Sequence, residues 1–332
     1  MAKIIQLKKQ LVDSKLPTKI ELYQELLIRG ALSTEQAQEL EQLQIGQEGE
    51  QTLMDYFRMY GDSNWSVTQN VWVDYYGKFE VDCLLITSNQ IYLFEVKNYK
   101  GQYVYENSQC RCNGQTIGHN AISQTQKSYI NFTNLLRQNK INVPVIGVLL
   151  FSGIDCEVTI HDEIGDLKVV RRNQLRNFIH KIKHDERNYS KNHVDIDKLR
   201  QVLEDFEIHN PFLPDAIPRE IISRIRKGVR CSHCHSFEVD ALKTYVCCPC
   251  GIYEPIENAI IRTICEFAII YFDNDLLVSD LVIFFNGDYS RATIKKYMDK
   301  HFTQISFGRN IKYANNIRFN NVKFKLPRYF KC

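Results

Sequence analysis

The sequence predicts an α/β protein, a mixed sheet flanked by helices, joined to a small four-cysteine module and a mainly helical C-terminal domain. Three observations carry this expectation. Two β-branched and aromatic runs, residues 81–86 and 91–96, flank Ser88-Asn89-Gln90, the pattern of strand, turn and strand. A helical stretch, Ala121–Gln138, precedes residues 143–151, of which seven are apolar, so that this run reads as a buried strand parallel to a neighbour. Five of the eleven cysteines crowd between Cys231 and Cys250.

Residues 1–44 read as helical. Thr18 with Glu21 and Ser33 with Gln36 have capping-box spacing, and Gly30 separates the two segments. Their leucines recur at helical spacing, which suits a packing or dimer-forming hairpin. A helix over about residues 48–60 follows, with Leu53, Phe57 and Tyr60 on one stripe and Glu50 near it. A carboxylate there is costly without partners, although the helix dipole also favours a glutamate in a first turn. Strands are expected at 65–76 and 103–105 and a loop at 114–119. The helix from Ala121 carries Gln124 and Gln126 early, with Ile130, Leu135 and Leu136 as core positions.

The hairpin carries the chemistry. Side chains alternate across a strand, so Glu95 and Lys97 share a face, and the turn brings Asp82 alongside them. Glu80, two residues before Asp82, is a further candidate ligand. On an ordinary strand Glu-x-Lys is a solvated ion pair worth little. Here the run around Phe94 and Val96 is too apolar for an exposed edge, so the charges need a reason. Two carboxylates suit Mg²⁺ or Mn²⁺, and a neighbouring lysine can orient water or stabilise charge developing on phosphorus. That is equipment for metal-assisted phosphodiester hydrolysis.

The ordered segments Gly46-Gln-Glu-Gly49-Glu50, Phe79-Glu80-Val81-Asp82, Leu93-Phe94-Glu95-Val96-Lys97-Asn98-Tyr99-Lys100-Gly101 and Asn120-Ala-Ile-Ser-Gln124 resemble the nuclease-related domain (NERD). That family is similar to the PD-(D/E)XK restriction-endonuclease-like superfamily, and the resemblance covers roughly residues 44–153. It implies that Glu50 lies on the first core helix, that Asp82 and Glu95 bind metal, that Lys97 assists the water and that Gln124 completes the site. Val81 stands where the superfamily name has proline, and Ala121 replaces a proline often found after the asparagine. Neither change removes a ligand.

Residues 154–209 extend this core with a helix from Arg172 to about Lys183, a polar surface loop at 184–193 and a helix to about Glu207. The proline-rich stretch from Asn210 reads as a linker over 210–228. In the next module, 229–254, Cys231-Ser-His-Cys234 and Cys247-Cys248-Pro-Cys250 form paired knuckles fit for a structural Zn²⁺. Cys231, Cys234, Cys247 and Cys250 are the simplest ligand set; Cys248 is surplus, and His233 or His235 could substitute. In 255–332, helices at 257–271, 279–285 (capped by Ser279) and 290–301, with Gly287 in the intervening turn and a hairpin-like tail, resemble a winged helix-turn-helix. From Asn286 onward eleven basic residues face two acidic ones, interleaved with aromatics, as phosphate-backbone binding requires.

A hydrophobic content of 44% and a charged content of 24% fit a globular chain of two or three domains. With no apolar run of membrane-spanning length and no signal-like N-terminus, a cytoplasmic protein without a membrane partner is expected. The sequence reading is a Mg²⁺- or Mn²⁺-dependent endonuclease acting on DNA, with homodimerisation the simplest way to cut two strands. The alternatives are an inert DNA-binding regulator or scaffold, or a nuclease of RNA or of single-stranded or branched DNA.

Overall fold

The computed structural model describes residues 3–4, 17–188, 194–306 and 311–315. In chain order the elements are β1 (Lys3–Ile4), α1 (Lys19–Ile28), α2 (Thr34–Tyr60), β2 (Ser66–Asp74), β3 (Lys78–Ile86), β4 (Ile91–Lys97), β5 (Gly101–Glu106), β6 (Gln109–Cys112) and β7 (Gln115–Thr116). There follow α3 (Ala121–Gln138), β8 (Val145–Phe151), β9 (Cys156–Ile160), β10 (Lys168–Arg171), α4 (Arg172–Asn188), α5 (Ile196–Phe206) and α6 (Arg219–Arg224). The remainder comprises β11 (Asp240–Ala241), β12 (Tyr245–Cys247), β13 (Tyr253–Pro255), α7 (Ile256–Ile270), β14 (Leu276–Leu277), α8 (Val278–Phe284), α9 (Arg291–His301) and β15 (Lys312–Tyr313). None of the described helices is long and apolar enough to cross a membrane.

The chain divides into two compact units, Met1–Asp13 with Gln42–Pro211 and Ser14–Glu41 with Phe212–Cys332. In the first, a mixed sheet runs β1-β2-β3-β4-β8-β10. The β2, β3 and β4 strands are antiparallel neighbours, whereas β8 lies parallel to β4 and β10 parallel to β8. The parallel register of β8 was expected, because a helix must carry the chain back between such strands. One sheet face packs Leu84, Ile86, Ile91 and Leu93 against Phe132 and Leu135 of α3 and Leu199 and Leu203 of α5. The other packs Cys83, Leu85, Phe94 and Val96 against Leu53 and Phe57 of α2 and Leu175 and Ile179 of α4. Helices thus cover both faces. A second sheet, β7-β6-β5-β9, holds Tyr103 and Tyr105 in its own core.

The second unit gathers Leu22 and Leu26 of α1, Ile260, Ile264 and Phe267 of α7, Leu281 of α8 and Ile294 and Met298 of α9 into one core. Buried charges knit it together. Arg29 bonds Glu266 at 2.7 Å, Arg230 bonds Glu25 at 2.7 Å and Glu266 at 3.0 Å, and Arg262 bonds Glu266 and Glu254. The three arginines hold the Glu266 carboxyl below its ordinary range against the upward push of burial.

Several expectations need correction. No break precedes the helix carrying Glu50, since α2 is one helix of 27 residues that includes Gly46 and Gly49; its glutamine- and glutamate-rich sequence favours helix throughout. Lys3–Ile4, expected to be helical, pair in parallel with Ser66 and Val67. Ile130 is 53% exposed, because Thr125, Ser128 and Phe132 take the inward stripe. Residues 184–188, expected in a loop, continue α4. Ser279 does not cap α8, which begins at Val278, and its hydroxyl turns to Asp280. The expected hairpin-like tail falls mostly at 307–310 and 316–332, outside the described residues; β15 pairs with β14.

Candidate active site and metal centre

The β3–β4 ladder pairs Ile86 with Ile91 through to Cys83 with Phe94 and stops there. The next position would set Asp82 opposite Glu95. Instead the N–H of Val96 donates to Asp82 Oδ2 at 2.7 Å. A side chain has replaced a ladder bond, so the strands part where the two carboxylates stand. On its other edge β4 stays paired, with Glu95 opposite Leu149 and Lys97 opposite Phe151 of β8.

Glu95 is 3% exposed, and a buried carboxylate is costly unless paired. Lys97 supplies the pair, its Nζ 2.6 Å from Glu95 Oε1. It also reaches Gln124 Oε1 on α3 at 3.3 Å. Gln126 turns away and donates to the carbonyl of Ile164. Burial pulls the Lys97 ammonium down, but Glu95 and Asp82 outweigh it and hold it above its ordinary value.

Glu50 arrives from α2, which comes unusually close to the sheet. A Cβ on Gly49 would stand 2.7 Å from Ser152 Oγ and 2.9 Å from Asn98 Cβ. Asn98 Nδ2 ties the helix down by donating to the carbonyl of Ile45 at 2.8 Å. Burial, then Asp82 and Glu95, pushes the Glu50 carboxyl up to about 8, against a hydrogen bond from Asn70. Glu80 also rises to about 8, through burial and then through Asp82, Glu50 and Glu95. Glu95 is raised to about 7 by burial and Asp82, with Lys97 opposing. Asp82 is raised too, because burial exceeds what Val96 N–H and Lys97 give back.

The structure thus brings together all five residues singled out in the hairpin and its flanking helices, together with Glu80. Four carboxylates share one partly desolvated place with one ammonium, an excess of negative charge that protons or a cation must offset.

The family model of the nuclease-related domain matches residues 45–152. Over these residues the chain is similar to the NERD family. No curated protein and no solved structure matches the chain. The NERD segment contains Glu50, Glu80, Asp82, Glu95, Lys97 and Gln124, and also Asn70, which the sequence reading missed. Its signal was faint: one polar residue among several in β2.

Outside the NERD domain, the sulfurs of Cys231, Cys234, Cys248 and Cys250 lie within 4.8 Å of one another. Cys231 and Cys250 are 3.6 Å apart and Cys234 and Cys248 3.5 Å, close to the edge of about 3.8 Å that a tetrahedron with Zn–S bonds of about 2.3 Å requires. The group could hold a structural metal ion. Among the described residues no other set of three or more such ligand atoms is gathered so tightly. The expected ligand Cys247 is corrected to Cys248. Cys247 closes β12, paired with Asp240 and Tyr253, and successive strand residues face opposite ways. Cys248 instead opens the turn, its N–H donating to the Ile252 carbonyl and its own carbonyl accepting from Gly251. His233 and His235 are outside the group, and His235 lies against Arg230.

On α9, Lys295 pairs with Asp299 at 2.5 Å and Lys300 with Glu257 at 2.7 Å. Arg291 and Lys296 occupy the same helix. Arg309, Arg318, Lys323, Lys325, Arg328 and Lys331 lie outside the described residues.

Proposed function

We propose that the chain is a metal-dependent nuclease that hydrolyses phosphodiester bonds of DNA. The observation that carries the reading is the convergence of Glu50, Glu80, Asp82 and Glu95, with Lys97 paired to Glu95, within the segment that the NERD family model matches. The fit to Mg²⁺ or Mn²⁺ rests on the donors: they are all carboxylate oxygens, as hard divalent ions prefer, and burial raises each acid above its ordinary value, with neighbouring carboxylates adding to the rise at Glu50, Glu80 and Glu95.

Asp82 and Glu95 would hold the ion, with Glu50 completing the shell. Such an ion, when bound, lowers the pKa of water and draws charge from a phosphoryl oxygen. Lys97, bridging Glu95 and Gln124, orients the attacking water and offsets charge developing on phosphorus. Gln124, exposed on α3, offers its amide to a phosphate oxygen. The four-cysteine group would take Zn²⁺ and hold its module folded. The α8–turn–α9 segment, with Arg291 and Lys296, would grip the nucleic-acid backbone as a winged-helix-like module.

The test is cleavage of supercoiled plasmid by wild type and by Glu95→Ala/Lys97→Ala in Mg²⁺, Mn²⁺ or EDTA. Metal-dependent nicking lost in the variant, with DNA binding retained, is the expected result. Binding without cleavage of plasmid, single strands or RNA by the wild type would instead make the core a binding platform.

A further inference from the structure

Side-chain alternation along β2 and β3 changes phase at one place. In β3, Phe79 and Val81 pack into the core shared with α3 and α5, but Cys83 and Leu85 pack into the core shared with α2 and α4. In β2, Val67 belongs to the α2 side and Val71 and Val73 to the α3 side. Both switches fall at a single cross-strand position. The ladder pairs Gln69 with Cys83 and Val71 with Val81 and passes over Asn70 and Asp82 between them.

The cause lies in the backbone of Asn70, which has φ of +52°. A left-handed residue inside a strand breaks the two-residue repeat, and asparagine is among the few L residues that enter this region readily. Glycine would serve that backbone equally well. What asparagine adds is a side-chain amide, hydrogen-bonded to Glu50.

We propose that Asn70 is a positioning residue of the active centre: its left-handed backbone takes Asp82 out of the strand repeat, and its amide holds the Glu50 carboxylate beside Asp82. The proposal rests on the metal-dependent reading of the site. Asn70 acts through the two acids, which explains a polar residue in a strand whose other positions are mostly buried.

Two variants separate the two parts of this role. Asn70→Gly keeps the left-handed backbone and removes the amide; Asn70→Ala also penalises that backbone. Asn70 is exposed, so neither opens the core, and thermal unfolding of each variant verifies the fold. Titration with Mn²⁺ by calorimetry should show dissociation constants raised about tenfold in Asn70→Gly, as loss of a partner behind a ligand does, and raised further in Asn70→Ala. In plasmid cleavage the turnover should fall while the KM for DNA stays unchanged. Wild-type Mn²⁺ affinity and turnover in Asn70→Gly would overturn the role of the amide, and equal effects of Gly and Ala would overturn that of the backbone. A wild type that binds Mn²⁺ but cuts nothing would refute the nuclease reading alone, leaving the Mn²⁺ titrations to decide on Asn70. A wild type that binds no Mn²⁺ would refute both.

Discussion

Asp82 accepts the backbone N–H of Val96 at 2.7 Å, at the point where a ladder bond between β3 and β4 would otherwise stand. One carboxylate therefore both parts the strands and faces the gap it makes. These two duties separate by substitution. Asp82→Asn keeps an oxygen for Val96 and removes the charge; it should melt close to wild type and lose cleavage by at least about 100-fold. Asp82→Ala also leaves the N–H of buried Val96 unpartnered, which costs about 1–3 kcal/mol more. Calorimetric unfolding beside plasmid nicking checks both, and equal stability of the two variants would count against the structural duty.

The crowded acids make the metal-free protein sensitive to pH. Glu50 and Glu80 titrate near 8 when folded, against an ordinary 4.5. Between pH 5 and 8 the folded state therefore retains protons that the unfolded chain has released, and stability falls as pH rises. His235, held below its ordinary value by burial and Arg230, has the opposite slope, common to any pair of proteins compared. In EDTA the melting temperature of Glu50→Gln/Glu80→Gln should fall less than that of wild type from pH 5 to 8. Parallel curves would refute the crowding.

In the cysteine module, Cys248→Ser should abolish the bound metal and Cys247→Ser should leave it. Metal content per chain, read by elemental mass spectrometry on protein purified without chelator, decides the matter. Metal retained by Cys248→Ser but lost by Cys247→Ser would restore the pairing expected from the sequence.

Gly49 is a second lever on Glu50. Gly49→Ala places a methyl against Ser152 and Asn98, forcing α2 away from the sheet. Overpacking of this kind costs about 1–3 kcal/mol, and cleavage should fall more than Mg²⁺ saturation can recover. Gly46→Ala, where a Cβ meets nothing within 4 Å, is the control and should leave cleavage unchanged and stability equal or higher.

The hairpin bearing Asp82, Glu95 and Lys97 was legible because strand alternation is a property of sequence spacing. The parallel β8 was legible for the same kind of reason, an apolar run behind a helix. Asn70 was not, since a left-handed residue within a strand leaves no periodic trace until the phases on either side of it are compared. Gly49 stood only as part of a motif inside the expected helix, and only the nearness of Ser152 and Asn98 reveals a glycine chosen for contact. Cys248 was passed over for Cys247 because counting spacers ignores which way a strand residue points. Ile130 missed the core because the inward stripe of α3 includes Thr125 and Ser128, small polar residues that an apolar count leaves out.

The buried bonds of Arg29 to Glu266 and of Glu25 to Arg230 join residues at opposite ends of the chain. On a ribosome, α1 emerges early and must wait while residues 42–211 are made, about ten to thirty seconds at ordinary rates of synthesis. During that interval its apolar face and its charges lack their partners. The NERD-bearing unit, complete sooner, can fold first, and a fragment beginning at Phe212 would be born without one of the three arginines that surround Glu266.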